Sequence, residues 1–124
     1  VCANGTAQGC NNLGLFYSEG RGVPQDMRRA YALFEKACEG GSAQGCVSLG
    51  LSYTQGSGVP RDVRRAAALY EKACEGGAAT GCFNLAMSYA EGSGVPQDKR
   101  RAAALYEKAC QGGLEQGCSA LNTL

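Results

Sequence analysis

The sequence predicts an all-α fold, an α/α solenoid of short antiparallel helix pairs stacked side by side. Three observations carry that reading. First, two cysteines with seven residues between them, Cys38 and Cys46, return as Cys74 and Cys82, as Cys110 and Cys118 and, in looser form, as Cys2 and Cys10, so that copies start 36 residues apart. Second, apolar residues inside each copy recur at helical spacing, and third, glycine, proline and aspartate punctuate every copy at the same places. A unit this small cannot bury its own apolar face and must bury it against its neighbours.

The 124 residues divide into a partial unit at 1–4, units at about 5–40, 41–76 and 77–112, and a terminal helix over 113–124. An apolar content of 44% is enough for a continuous core. A formal net charge of +1 gives no general attraction to nucleic acid. No apolar run approaches the roughly 18 residues of a membrane helix. Neither an initiator methionine nor a basic-then-apolar leader opens the chain, and Val1 falls midway through a repeat, so a processed form or a fragment of a longer array is expected.

The eight cysteines, Cys2, Cys10, Cys38, Cys46, Cys74, Cys82, Cys110 and Cys118, read as a disulfide framework and hence an oxidising compartment. Two other readings stand beside it: thiols serving as small core residues, and a metal site, which the wide cysteine gap and the absence of histidine disfavour. The count does not fix connectivity, but the repeat makes local pairing the simplest.

In chain order, residues 1–4 read as the end of a helix, and helix A of the first unit runs from about Ala7 to Ser18, with counterparts beginning near Ala43, Ala79 and Glu115. In the second unit Ala43, Cys46, Leu49, Gly50 and Tyr53 share one face and form a core stripe. Gly45 and Gly50 each cost a helix about 1 kcal/mol against alanine, so a close neighbour is expected at both. Glycines 20, 56 and 92 end helix A. The connector then reads Gly-x-Gly-Val-Pro-x-Asp; Pro24, Pro60 and Pro96 keep the preceding valine extended, and Asp26, Asp62 and Asp98 cap the next helix. Helix B covers 27–39, 63–75 and 99–111. Its inner face is Val63, Ala66, Tyr70, Ala73 and Cys74 in the second unit, with Ala67 and Leu69 flanking and Arg64, Arg65, Ala68, Glu71, Lys72 and Glu75 opposite. Paired glycines at 40–41, 76–77 and 112–113 stop helix B and reverse the chain, which brings Cys74 and Cys82 face to face across the turn.

The pattern Ala-x-Gly-Cys-x-x-Leu-Gly-x-x-Tyr-x-x-Gly, then Gly-Val-Pro-x-Asp-x-x-Arg-Ala, then Leu-Tyr-Glu-Lys-Ala-Cys-x-Gly-Gly resembles the Sel-one-like repeat. The added cysteine pair is similar to that of the Helicobacter cysteine-rich proteins. The resemblance covers nearly the whole chain and departs only in the last unit, where Asn122 replaces the small residue of the stripe. It implies a right-handed superhelix of antiparallel helix pairs, stapled by disulfides, secreted or periplasmic, and serving as a scaffold for protein or peptide binding. A monomer with no cofactor is expected.

Some cysteine-rich members carry a penicillin-binding or β-lactamase label. The chain has no Ser-x-x-Lys, Ser-Asp-Asn or Lys-Thr-Gly, and without histidine it has no Ser-His-Asp or Cys-His arrangement. A weak hydrolase is therefore the alternative and not the main reading. A second alternative comes from Arg28-Arg29, Arg64-Arg65 and Arg100-Arg101, which stand in the first turn of helix B, where the macrodipole disfavours cations. Parallel stacking makes one long edge of the rod basic, either merely solvated, with Asp62 and Arg65 close enough to pair, or meeting an anionic envelope polymer.

The main reading places the partner on helix A, opposite the core stripe. That arc carries Gln44, Ser48, Leu51 and Gln55, with Val47 flanking; the equivalents are Gln8, Asn12, Leu15, Glu19 and Asn11 in the first unit and Thr80, Asn84, Met87, Glu91 and Phe83 in the third. Those positions vary between copies while the stripe does not. Leu15, Leu51 and Met87 form an apolar line, and Asn12 and Asn84 are suited to hold the backbone of an extended peptide. The competing reading is that the line simply flanks the core.

Overall fold

The computed structural model describes Cys2 and residues 6–124, and among these it contains helices and no strand. The helices are α1 (Ala7–Glu19), α2 (Met27–Glu39), α3 (Ala43–Gln55), α4 (Val63–Glu75), α5 (Ala79–Glu91), α6 (Lys99–Gln111) and α7 (Glu115–Leu121). Each packs on the next in sequence, and α3 also packs on α1 and α5, so the odd-numbered helices line one side of a solenoid. The expected helix remnant at residues 1–4 falls outside the described residues apart from Cys2, which is not helical. The last helix is shorter than the span 113–124, because Gly113 turns with φ 97° and Asn122 caps the end after seven helical residues.

Capping sets the ends of the other six. Asp26, Asp62 and Asp98 accept from the backbone N–H of Arg29, Arg65 and Arg101, as the connectors predicted. Thr6 and Ser42 do the same for Gly9 and Gly45, whereas Ala78 at the start of α5 supplies no side-chain cap. Gly20, Gly56 and Gly92 close the odd-numbered helices at φ 68–72°, left-handed backbone that glycine adopts without strain.

The core runs between the layers. Cys46, Leu49, Gly50 and Tyr53 of the expected stripe are buried, with Ala43 half-buried at its edge. Facing them, Phe34 and Tyr70 from α2 and α4 are buried, as are Ala30, Ala37, Ala66 and Ala73. The glycines explain how closely these helices meet. A Cβ on Gly45 would stand 2.6 Å from Ala37 Cβ and 3.0 Å from the Cys38 nitrogen; one on Gly50 would stand 2.5 Å from the Tyr70 ring. In the third unit Ala86 replaces that glycine, against Tyr106. Between units, the left-handed Gly58 and Gly94 of the connectors lie on the backbone carbonyls of Met27 and Val63, which stacks each connector on the first turn of the previous even-numbered helix.

All four local disulfides form: Cys2–Cys10, Cys38–Cys46, Cys74–Cys82 and Cys110–Cys118, with Cα atoms 4.5–4.8 Å apart. The last three span the glycine turn between an even-numbered helix and the next odd one, and the first joins Cys2 to α1. This pairing leaves no thiol for the reduced-core reading and no thiolate for a metal.

Candidate functional site

Side-by-side packing of α1, α3 and α5 leaves a groove of about 410 Å³ along their outer side, closed at one end by the start of α7. Its apolar lining is Leu15, Val47, Leu51, Phe83 and Leu114, and its polar lining is Asn11, Gln44, Ser48, Thr80, Asn84 and Gln116. None of these side chains is charged.

The groove contains most of the residues expected from sequence and sorts them differently. Leu15 and Leu51 are 37% and 38% exposed, so the apolar line is open there and is not the flank of the core. Val47 lines the groove as its floor and is buried in the main core cluster, because α3 is covered both by α2 and α4 and by its odd-numbered neighbours. For the same reason Ser52 and Ser88 are buried. Phe83 is half-buried, its ring 5.5 Å from that of Tyr106. Met87 lies outside the groove, half-buried in an adjoining crevice that also touches Leu51 and Asn84. Asn12 is exposed beyond the lining, accepting from Gln8 Nε2 at 3.2 Å.

Polar groups differ along the groove. Ser48 Oγ donates to Asn11 Oδ1 at 2.8 Å, tying α3 to α1 and committing both side chains. Thr80 Oγ1, by contrast, is buried with no hydrogen-bond partner. Sequence reasoning passed over Gln116 and Leu114. Gln116 was findable, since carrying the row Gln8, Gln44, Thr80 one unit further reaches it; Leu114 had no such signal, because its equivalents are Ser42 and Ala78. A second depression of about 460 Å³ runs along the glycine turns, but its lining holds no apolar side chain larger than alanine.

The arginine pairs are also sorted. Arg29, Arg65 and Arg101 lie over the rings of Tyr17, Tyr53 and Tyr89 at 5.1–5.5 Å, once in every complete unit. The suggested Asp62–Arg65 ion pair does not form, since the Asp62 carboxylate accepts from the Arg65 backbone and the guanidinium turns to Tyr53. Arg29 Nη1 donates to Tyr17 Oη at 3.3 Å, which holds its pKa above the ordinary value. Nearby, the Tyr31 and Tyr53 hydroxyls share a hydrogen bond of 2.9 Å, and that bond, with desolvation added, pushes the Tyr31 phenol up to about 12.

Comparison with known proteins follows the same repeat. The family model described as Sel1 repeat matches residues 7–42, 43–77 and 79–114. Among solved structures the chain is similar to a protective antigen of uropathogenic Escherichia coli displaying an SLR fold, at 34% identity and TM-score 0.89 over 93% of this chain and 25% of that one. It is also similar to a Sel1 repeat protein from Oxalobacter formigenes, at 30% identity and TM-score 0.87 over 93% of this chain and 46% of that one. Cysteine-rich protein B of Helicobacter pylori is 32% identical with TM-score 0.78, over 93% of this chain and 88% of that one. The chain thus spans a quarter and under half of the first two proteins and most of the third. No curated protein sequence matches it.

Proposed function

The chain belongs to the Sel1 repeat family, whose repeats form scaffolds that typically mediate protein interactions, and from that premise we propose that it holds an extended peptide segment of a partner protein in the groove of its odd-numbered helices. The observation that carries the reading is the open Leu15 and Leu51 in a groove lined by amides and hydroxyls without a single charge. Such a lining favours a neutral segment with apolar side chains over Leu15, Leu51 and Phe83. Asn84 and Gln116 supply donors and acceptors for its backbone, as in other peptide-binding grooves. Asn12 and Met87 then touch a longer ligand at the margins. The partner is a protein or peptide, the chain acts as a monomer, and no catalysis or cofactor is invoked.

Four disulfides fit an extracytoplasmic protein, and no helix among the described residues is long and apolar enough to cross a membrane. We place the protein in the periplasm or outside the cell on that basis.

The test is selection of unstructured peptides from a random display library against the disulfide-bonded chain, followed by titration of the enriched peptides. Neutral, apolar peptides should emerge. The Leu15→Glu, Leu51→Glu variant, altered only at open positions, should bind them at least about tenfold more weakly, a loss of about 1.4 kcal/mol. Enrichment of charged peptides, or equal binding by a folded variant, refutes the groove.

A further inference from the structure

All Lys and Arg residues except Lys36, Lys72 and Lys108 lie on one long edge of the rod, around the connectors and the first turns of α2, α4 and α6. Nine cations there face five carboxylates, Glu19, Asp26, Asp62, Glu91 and Asp98; the other six carboxylates and the three remaining lysines lie further along the even-numbered helices or at the glycine turns and α7. The near-neutral net charge therefore hides a basic edge.

The cations on this edge are hardly neutralised. Arg21 with Glu19, at 3.3 Å, is the only ion pair among the described residues. The three cap aspartates are already taken by backbone N–H groups. Arg61 Nε donates to the Thr54 carbonyl, and Arg29, Arg65 and Arg101 are held over tyrosines. That leaves four exposed cations without a carboxylate: Arg28, Arg64 and Arg100, at equivalent points of successive units, and Lys99 beside the last of them. Folding alone does not account for them, since a cation in the first turn of a helix opposes the macrodipole.

We propose that this edge binds a linear anionic polysaccharide, with the free Arg28, Arg64 and Arg100 and the tyrosine-held arginines behind them meeting successive acid groups along the polymer. A row repeated once per unit matches a partner whose charges also recur along a line. Nucleic acid fits less well, because stacking of bases needs a free aromatic face and each tyrosine of the row already has a guanidinium over it. A lipid surface fits less well too, since none of the large exposed apolar side chains belongs to α2, α4 or α6. The inference is independent of the peptide groove, which lies on α1, α3 and α5.

The experiment uses the disulfide-bonded chain and alginate, a linear polyuronate. Binding should weaken at least about tenfold between about 0.05 and 0.2 M salt. The triple variant Arg28→Gln, Arg64→Gln, Arg100→Gln should bind at least about tenfold more weakly, while Lys36→Gln, Lys72→Gln, Lys108→Gln, with the same change in net charge, should stay within about twofold of the parent. If the arginine triple loses its parental melting transition, single Arg64→Gln takes its place with a smaller loss in the same direction. The Leu15→Glu, Leu51→Glu groove variant should add no more than the general repulsion shown by a matched Gln111→Glu, Thr123→Glu control, at exposed positions outside the groove. No binding by the parent at low salt, equal weakening by the two triples, or tighter binding of a single-stranded oligonucleotide or of anionic phospholipid vesicles than of alginate overturns the proposal.

Discussion

Replacing Gly45 and Gly50 with alanine, separately, tests how the two layers are held together. Both are buried helical glycines of α3, and helix propensity alone predicts that each substitution gains about 1 kcal/mol. The neighbours set them apart. At Gly45 the new methyl would meet Ala37 Cβ at 2.6 Å and the backbone of Ala37 and Cys38 at 3.0 Å, atoms fixed in the last turn of α2 and next to the Cys38–Cys46 bridge. Overpacking of that kind costs about 3 kcal/mol at the upper end of its range, leaving a net loss of about 2. At Gly50 the atoms nearest the methyl would all belong to the Tyr70 ring, which is free to tilt at the expense of its 2.9 Å hydrogen bond with Thr54. That bond contributes about 1 kcal/mol, so the substitution should be neutral within about 1. The third unit already carries this solution, with Ala86 against Tyr106 and Ala90 in place of Thr54. Thermal unfolding of the oxidised protein should therefore put the Gly45 variant about 8 °C below the parent and the Gly50 variant within about 4 °C of it. Equal losses at the two positions would refute the distinction between a backbone wall and a movable ring.

Other outcomes follow from the same contacts. Peptide mapping without reductant should recover the four bridges of separation eight, and reducing them should lower the melting temperature strongly, since each closed loop contributes roughly 2–3 kcal/mol in the chain-entropy account; hydrogen exchange should then show the end units opening first. Asp62→Ala removes the α4 cap and should cost about 1 kcal/mol in urea unfolding, while Ala78→Ser supplies α5 with the cap that Ser42 gives α3 and should gain about 0.5 kcal/mol. The Tyr31 phenol is raised to about 12 in the folded chain, so its contribution to stability is complete below about pH 10 and is lost as pH rises from there through about 12. Absorbance titration should show a late phenolate step that Tyr31→Phe alters, and stability measured against pH should fall less steeply in that window for the variant.

Much of the fold was legible because the repeat states each local rule three times. The aspartate caps, the glycine stops and the even-numbered helices 27–39, 63–75 and 99–111 stand where connector chemistry placed them, since capping and left-handed turns depend on residues within a few positions. Cysteine pairing was legible for a related reason: a helix, two glycines and a helix leave the two sulfurs one short turn apart. The groove was legible only in outline. Counting around one helix found Leu15, Ser48, Leu51 and Asn84, but it treats a helix as having one buried face, and α3 is covered on two sides. Val47 consequently went to the floor and Met87 to a separate crevice.

The arginine pairs divide the two kinds of knowledge most clearly. Sequence by itself determined that two guanidiniums open each even-numbered helix and that repetition aligns them along one edge. Tertiary structure alone decided that the second of each pair lies over a tyrosine of the preceding helix while the first stays exposed without a partner. The physical reason is range. Helix phase, caps and turns are set by neighbours along the chain, whereas a cation's partner is whatever ring or carboxylate packing across helices brings within a few ångströms.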